Sequence, residues 1–223
     1  MKRPQYGERV KIISWNVNKV CTKLEKANVD LMLRGHDIIA LLEVKTTLPV
    51  HLPGFVSYRG KSVGTSERGG VVVLVKNHIN EFVHNVDTSV GDQLWLQISI
   101  FEHVMFGFCY IPPCDSPYYT HDAFAAIQEK IQSNNMSNGY VIMGDMNARF
   151  GKAVRDLGAM YELPDTHISY PNIEDDVGTM NDNAEFLSTI CLDNKLLVLN
   201  QGFPNFSMPR TPKIDASQLE DPQ

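Results

Sequence analysis

Tyr140-Val141-Ile142-Met143-Gly144-Asp145-Met146-Asn147-Ala148-Arg149-Phe150-Gly151 joins an apolar run to a glycine and then to a carboxylate and an amide spaced i, i+2. The apolar part reads as a buried strand. If extended backbone persists past Gly144, Asp145 and Asn147 point to the same side. The same Gly-Asp-x-Asn string is also good turn chemistry. A structural reason and a chemical one therefore stand side by side, and the rest of the chain has to choose between them.

The pattern recurs. Val10 to Trp15 reads as a strand that ends at Asn16, within Ser14-Trp15-Asn16-Val17-Asn18. Asp37 to Leu42 is a near-continuous apolar run, as in strands covered on both faces, and it stops at Glu43. Phe55 to Tyr58 is a short strand, and Gly69-Gly70 opens another buried one, Val71 to Val75. Leu94, Leu96, Ile98 and Ile100 are read as alternating with polar residues, which predicts one covered face. Val104 to Tyr110 follows closely enough to pair antiparallel and is ended by Ile111-Pro112-Pro113. Helical spacing is expected over 19–34 with Gly35 as a stop, over 119–133, and over 183–194 with Phe186, Leu187 and Ile190 inward. A polar loop spans 152–180, Leu196 to Leu199 reads as a further strand, and Lys213-Ile214-Asp215 repeats the strand-then-carboxylate theme. Antiparallel strands interleaved with three helices predict an α/β fold of two packed sheets with helices outside, not a doubly wound parallel sheet.

A chain of 223 residues, 43% hydrophobic and 21% charged, is ordinary for one globular domain. Residues 1–215 are read as that domain, with 216–223 as a polar tail. The balance of 20 basic and 26 acidic residues gives a net charge of −6, which excludes a strongly cationic coat but not a local basic surface. Cys21, Cys109, Cys114 and Cys191 show no zinc spacing, so a reducing, intracellular location (nuclear or cytoplasmic) is expected. With neither a leader-like segment nor a long apolar run, no membrane association is expected.

If the strands lie side by side, their ends gather oxygen donors at one rim. A hard cation such as magnesium takes one or two carboxylates, waters and a substrate phosphate. Phosphodiester cleavage needs that cation, a carboxylate to orient or deprotonate water, and donors for the non-bridging oxygens. Glu43 suits the cation, with Asn16 or Asn18 nearby; Asp145 suits the base; Asn147, Asn16 and Tyr110 can donate to phosphate. Each residue alone has a plainer explanation, as loop, turn or half-buried aromatic. Their order is what points to a site.

In that order, Ser-Trp-Asn-Val-Asn, Leu-Leu-Glu-Val-Lys, Arg-Gly-Gly-Val-Val-Val-Leu-Val-Lys, Tyr-Ile-Pro-Pro and Gly-Asp-Met-Asn-Ala-Arg-Phe-Gly resemble the endonuclease/exonuclease/phosphatase (DNase I-like) superfamily over residues 10 to 215. They look most like its branch in non-LTR (LINE-type) retrotransposons, as does Asn181 to Asn200. The resemblance implies a four-layered sandwich of two mixed β-sheets flanked by helices, a divalent cation (magnesium, with manganese as an alternative) and phosphodiester hydrolysis of DNA. It places the metal-binding glutamate at Glu43 and the first-strand asparagine at Asn16, with Asn18 where some members have an aspartate. The phosphate tyrosine falls on Tyr110, the water-activating and phosphate-binding pair on Asp145 and Asn147, and the histidine-orienting aspartate on Asp215. The family's closing Ser-Asp-His strand has no counterpart in the eight residues after Asp215, none of which is histidine. The expectation is thus a sandwich lacking its last strand or strands, with weakened activity and a sheet edge that a completing chain could cover. The alternatives are a catalytically inactive module that binds nucleic acid or a protein partner, and a phosphatase on a small phosphoester.

Overall fold

The computed structural model describes residues 10–20, 27–63, 69–101, 104–133, 139–150 and 179–196. Eight strands form two four-stranded sheets. The first holds β1 (Ile12–Asn16), β2 (Ile38–Leu42), β3 (Phe55–Arg59) and β4 (Val71–Lys76) in the order β1-β2-β4-β3. The second runs β5 (Val83–Asp87), β6 (Gln93–Ile98), β7 (Val104–Tyr110) and β8 (Gly139–Asp145) in sequence order. The helices are α1 (Ala27–Arg34), the short α2 (Asn77–Asn80), α3 (Asp122–Ser133) and α4 (Asp182–Asp193).

Each sheet contains one parallel pair, β1 with β2 and β7 with β8, and the other pairs are antiparallel. A parallel pair needs a crossover, and α1 and α3 lie in those two crossovers. The sandwich is therefore two β-α-β units facing each other, with β1 packed across from β8. Both parallel pairs end at the same rim.

The all-apolar runs land between layers. Ile38, Ala40, Leu42, Val71, Val73 and Val75 of the first sheet meet Leu94, Leu96, Ile98, Phe106 and Phe108 of the second. The alternate residues, Ile39, Leu41, Val72 and Leu74, pack outward on Leu33 of α1. Burying each such side chain is worth about 1.5–3 kcal/mol, so the four-layer stack is driven by the doubly covered strands.

Three expectations need correction. β6 is covered on both faces, not one. Trp95 turns away from the inter-sheet core onto Phe124, Ile127 and Ile190. The polar Gln93 is satisfied in burial, accepting from Trp95 Nε1 at 3.1 Å and donating to Ala123 O at 2.8 Å. Polar residues in alternation thus marked a hydrogen-bonded second face, not a solvated one. β8, expected to be buried, is mostly half-buried, because among the described residues it is the edge of its sheet. In α4, Ile190 is buried and Leu187 half-buried as expected, but Phe186 is exposed while Asn183, Ala184 and Cys191 face inward. Leu197 to Leu199, most of the polar loop, Asp215 and the polar tail lie outside the described residues.

Candidate active site

The ends of the parallel strands bring four of the sequence-predicted residues together. Tyr110 and Asp145 are register partners at the ends of β7 and β8. Asn16 pairs with Leu42 at the ends of β1 and β2, so Glu43 follows one residue beyond. The Asn16 side chain closes the gap between the sheets: its Nδ2 donates to Glu43 Oε1 at 2.7 Å and to Asp145 Oδ2 at 2.8 Å. Those two carboxylate oxygens cannot lie farther apart than the two bonds laid end to end. Both amide hydrogens are committed in this way, so Asn16 here organises carboxylates.

Glu43 is the hub. Lys45 Nζ lies 2.6 Å from its Oε2, and the Tyr110 hydroxyl donates to it as well. Burial alone raises the Glu43 carboxyl, but the bonds from Lys45, Asn16 and Tyr110 outweigh it and leave the pKa below the ordinary value. Tyr110 moves the other way: burial first, then the charge of Glu43, pushes its phenol well up. It stays protonated, and its one hydroxyl hydrogen goes to Glu43. Asn18 is tied in through Lys45, whose Nζ donates to Asn18 Oδ1 at 2.6 Å, while Asn18 N donates to Asn16 Oδ1 at 3.0 Å.

Several of these residues sit in the left-handed region that non-glycine residues rarely occupy: Asn18 (φ 40°), Glu43 (φ 52°), Lys45 (φ 48°) and Asn147 (φ 46°). Such conformations persist only where surrounding bonds impose them. Here Lys19 N donates to Glu43 O at 2.8 Å, Val44 N to Gly70 O at 3.2 Å and Lys45 N to Gly69 O at 3.1 Å.

Asn147 does not reach the site by strand alternation. Its left-handed backbone ends the extended geometry, and its N–H instead donates to Asp145 Oδ1 at 3.1 Å in an Asx-type turn. One hydrogen of its amide is taken by Ile111 O at 2.8 Å. The turn reading of Gly-Asp-x-Asn is the one observed, and that turn presents the Asp145 carboxylate to Asn16. Gly144 is required by close approach: a Cβ there would lie 1.8 Å from Cys109 O on the paired strand.

Sequence reasoning passed over the partners that hold this rim. Asp92 is 3% exposed, its carboxylate accepts from Gly70 N at 2.6 Å, and its own carbonyl accepts from Tyr110 N at 2.9 Å. It links the loop behind Lys45 to the end of β7. Burial raises its pKa to about 6, with Glu43 adding to the rise against the bonds from Gly70 and Val63. Asn181 and Asn183 of the α4 terminus bond to the Asp145–Arg149 segment. The one local signal for them was two asparagines two apart at a helix start.

The donor set is carboxylates and amide oxygens, without thiol or imidazole, which fits a hard cation and not zinc. Among the described residues no group of three or more His, Cys, Asp or Glu forms a ready-made cage. Magnesium is usually held by one or two carboxylates with waters and substrate phosphate, so Glu43 beside Asn16, Asn18 and Asp145 fits it. No described helix is long and apolar enough to cross a membrane.

The fold is shared with solved nucleases. An AP endonuclease from Leishmania major superposes with a TM-score of 0.57 at 15% identity, over 83% of this chain and 66% of its own. An AP endonuclease from Archaeoglobus fulgidus gives 0.53 at 18% identity, over 82% and 70%. A 3′ phosphatase from Neisseria, solved with a product DNA hairpin, gives 0.50 at 21%, over 65% of this chain and 60% of its own. The chain thus spans about three fifths of the Neisseria protein. No curated protein matches it by sequence. The family model described as Endonuclease/Exonuclease/phosphatase family matches residues 13–211, a span that contains Asn16, Glu43, Tyr110 and Asp145, and the chain belongs to that family.

Proposed function

We propose that this protein is a magnesium-dependent phosphodiester hydrolase, an endonuclease on DNA of the retrotransposon type, formed by one domain over residues 1–215. The observation that carries the reading is the single Asn16 amide holding Glu43 and Asp145, from opposite sheets, over one small volume. The motif order Ser-Trp-Asn-Val-Asn, Leu-Leu-Glu-Val-Lys and Gly-Asp-Met-Asn supports the retrotransposon branch, and an intracellular location goes with it.

Glu43, with Asn16 and Asn18, is assigned to hold the cation, magnesium or manganese. When bound, that cation supplies neutralising charge to the phosphate. Asp145 accepts the proton of the attacking water, since its Oδ atoms are the carboxylate left beside the Glu43 centre. Tyr110, kept protonated, would turn its one hydroxyl hydrogen from Glu43 to a non-bridging oxygen, and Asn147 offers its second amide hydrogen. Asn16 keeps both carboxylates in register. Asp215, whose proposed task is to orient a histidine, lies outside the described residues.

The test is nicking of supercoiled plasmid with magnesium, alongside Glu43→Ala and Asp145→Ala. Nicking by the native chain that both substitutions abolish is the expected result. Folded protein that binds DNA in a salt-dependent way yet never cuts, even at high concentration, would replace the enzyme by an inactive binding module.

A further inference from the structure

Asn183 is fully buried on the first turn of α4, yet its hydrogen bonds do not serve that helix. Its Nδ2 donates to Met146 O at 2.9 Å and to Pro112 O at 3.1 Å. Met146 separates Asp145 from Asn147, and Pro112 lies two residues beyond Tyr110. One amide group therefore ties the turn after β8 to the segment after β7. Its Oδ1 is buried with no hydrogen-bond partner among the described residues, an exception to the usual satisfaction of buried polar atoms. The side chain is set to donate.

Helix capping explains the neighbour but not this residue. Asn181 is the N-cap: its Oδ1 accepts from Ala184 N at 3.1 Å and also from Arg149 N at 2.9 Å, while its Nδ2 donates to Asn147 O at 2.8 Å. Asn181 does two jobs, and the first would suffice to retain it. Asn183 has only the second. The backbone it grips is the one that needs gripping, because Asn147 sits at φ 46°.

We propose that Asn183 is a positioning residue that locks the Asp145–Asn147 turn against the end of β7, giving the Asp145 carboxylate one orientation toward the phosphate. This rests on the functional reading above, but its test is separable. A misplacement of about 1 Å at a reacting group costs about a hundredfold in rate, so the consequence lies in the chemical step and not in DNA binding.

The experiment compares the native chain with Asn183→Ala and the isosteric Asn183→Asp, which turns two donors into acceptors facing carbonyls. Amide hydrogen exchange is read over residues 145–150 and, as an internal control, over β6 and β7; single-turnover nicking and DNA affinity are read on plasmid with magnesium. Local exchange is expected to rise by about tenfold with the β6 and β7 amides unchanged. The single-turnover rate is expected to fall by about 10- to 100-fold at unchanged affinity. Unchanged exchange at 145–150 overturns the proposal, as does a loss of rate that only follows the folded fraction. If neither variant folds, Asn183 is a determinant of the fold and the proposal is equally overturned. Should the native chain not cut at all, the functional reading fails by itself, and hydrogen exchange still decides whether Asn183 holds the turn.

Discussion

Asn16 and Asp145 stand 129 residues apart in the chain and on different sheets, and the amide of one donates to the carboxylate of the other across 2.8 Å. The same nitrogen holds Glu43 at 2.7 Å. Two carboxylates so close repel each other unless a donor or a cation sits between them. The asparagine is that donor, and it leaves the pair available to a cation.

Asn16→Ala removes the donor from both carboxylates. Hydrogen bonds to charged groups contribute about 1.5–3 kcal/mol, and a loss of stability in that range is expected by urea unfolding. Nicking should fall by about 10²–10³. A variant as stable and as active as the native chain would remove Asn16 from the site.

Magnesium should stabilise the folded chain through Glu43. A cation that binds only the native state at about a hundred times its dissociation constant adds about 2.7 kcal/mol. Thermal unfolding is therefore expected to shift upward with magnesium in the native chain and to stay put in Glu43→Gln. Equal shifts in both would place the cation elsewhere.

Asp92 predicts an inverted pH dependence. Burial foremost lifts its carboxyl from the ordinary 3.8 to about 6, so the folded state holds this proton more tightly than the unfolded state does. The associated stability is fully present below about pH 3.8 and is lost as pH rises through about 6. The difference is on the order of 3 kcal/mol. A neutral amide cannot titrate, so Asp92→Asn should gain stability relative to the native chain between about pH 4 and about pH 7. Parallel stability curves for the two proteins across that range would contradict the assignment.

Gly144→Ala should be among the most damaging single changes. The new Cβ meets the carbonyl of Cys109, part of β7, and a strand backbone cannot step aside as a flexible side chain would. A loss of more than about 4 kcal/mol is expected from chemical denaturation. A loss under about 1 kcal/mol would mean that β7 and β8 do not approach as closely as described.

The strands were legible because their signals are local. Ile38–Leu42 and Val71–Lys76 announce themselves as apolar runs, and the stops at Asn16, Glu43, Tyr110 and Asp145 are visible as changes of residue type. The alternation in β6 misled for a physical reason. Alternation tells which residues share a face, but whether that face is wet depends on α3 arriving to cover it.

Taken by itself, the order of residues determined most of the elements, though not β5 or the short α2, the two-sheet α/β class, and which side chains stand at strand ends. Periodicity and punctuation act over a few residues, and a reader of the chain has them in hand. Tertiary structure alone decided that Asn16 bridges both carboxylates, that Asn147 leaves extended geometry for a turn, and that Asp92 and Asn183 are buried behind the rim. Those outcomes come from strand pairing and packing between segments that are far apart in the chain, and no local property of either segment records its partner.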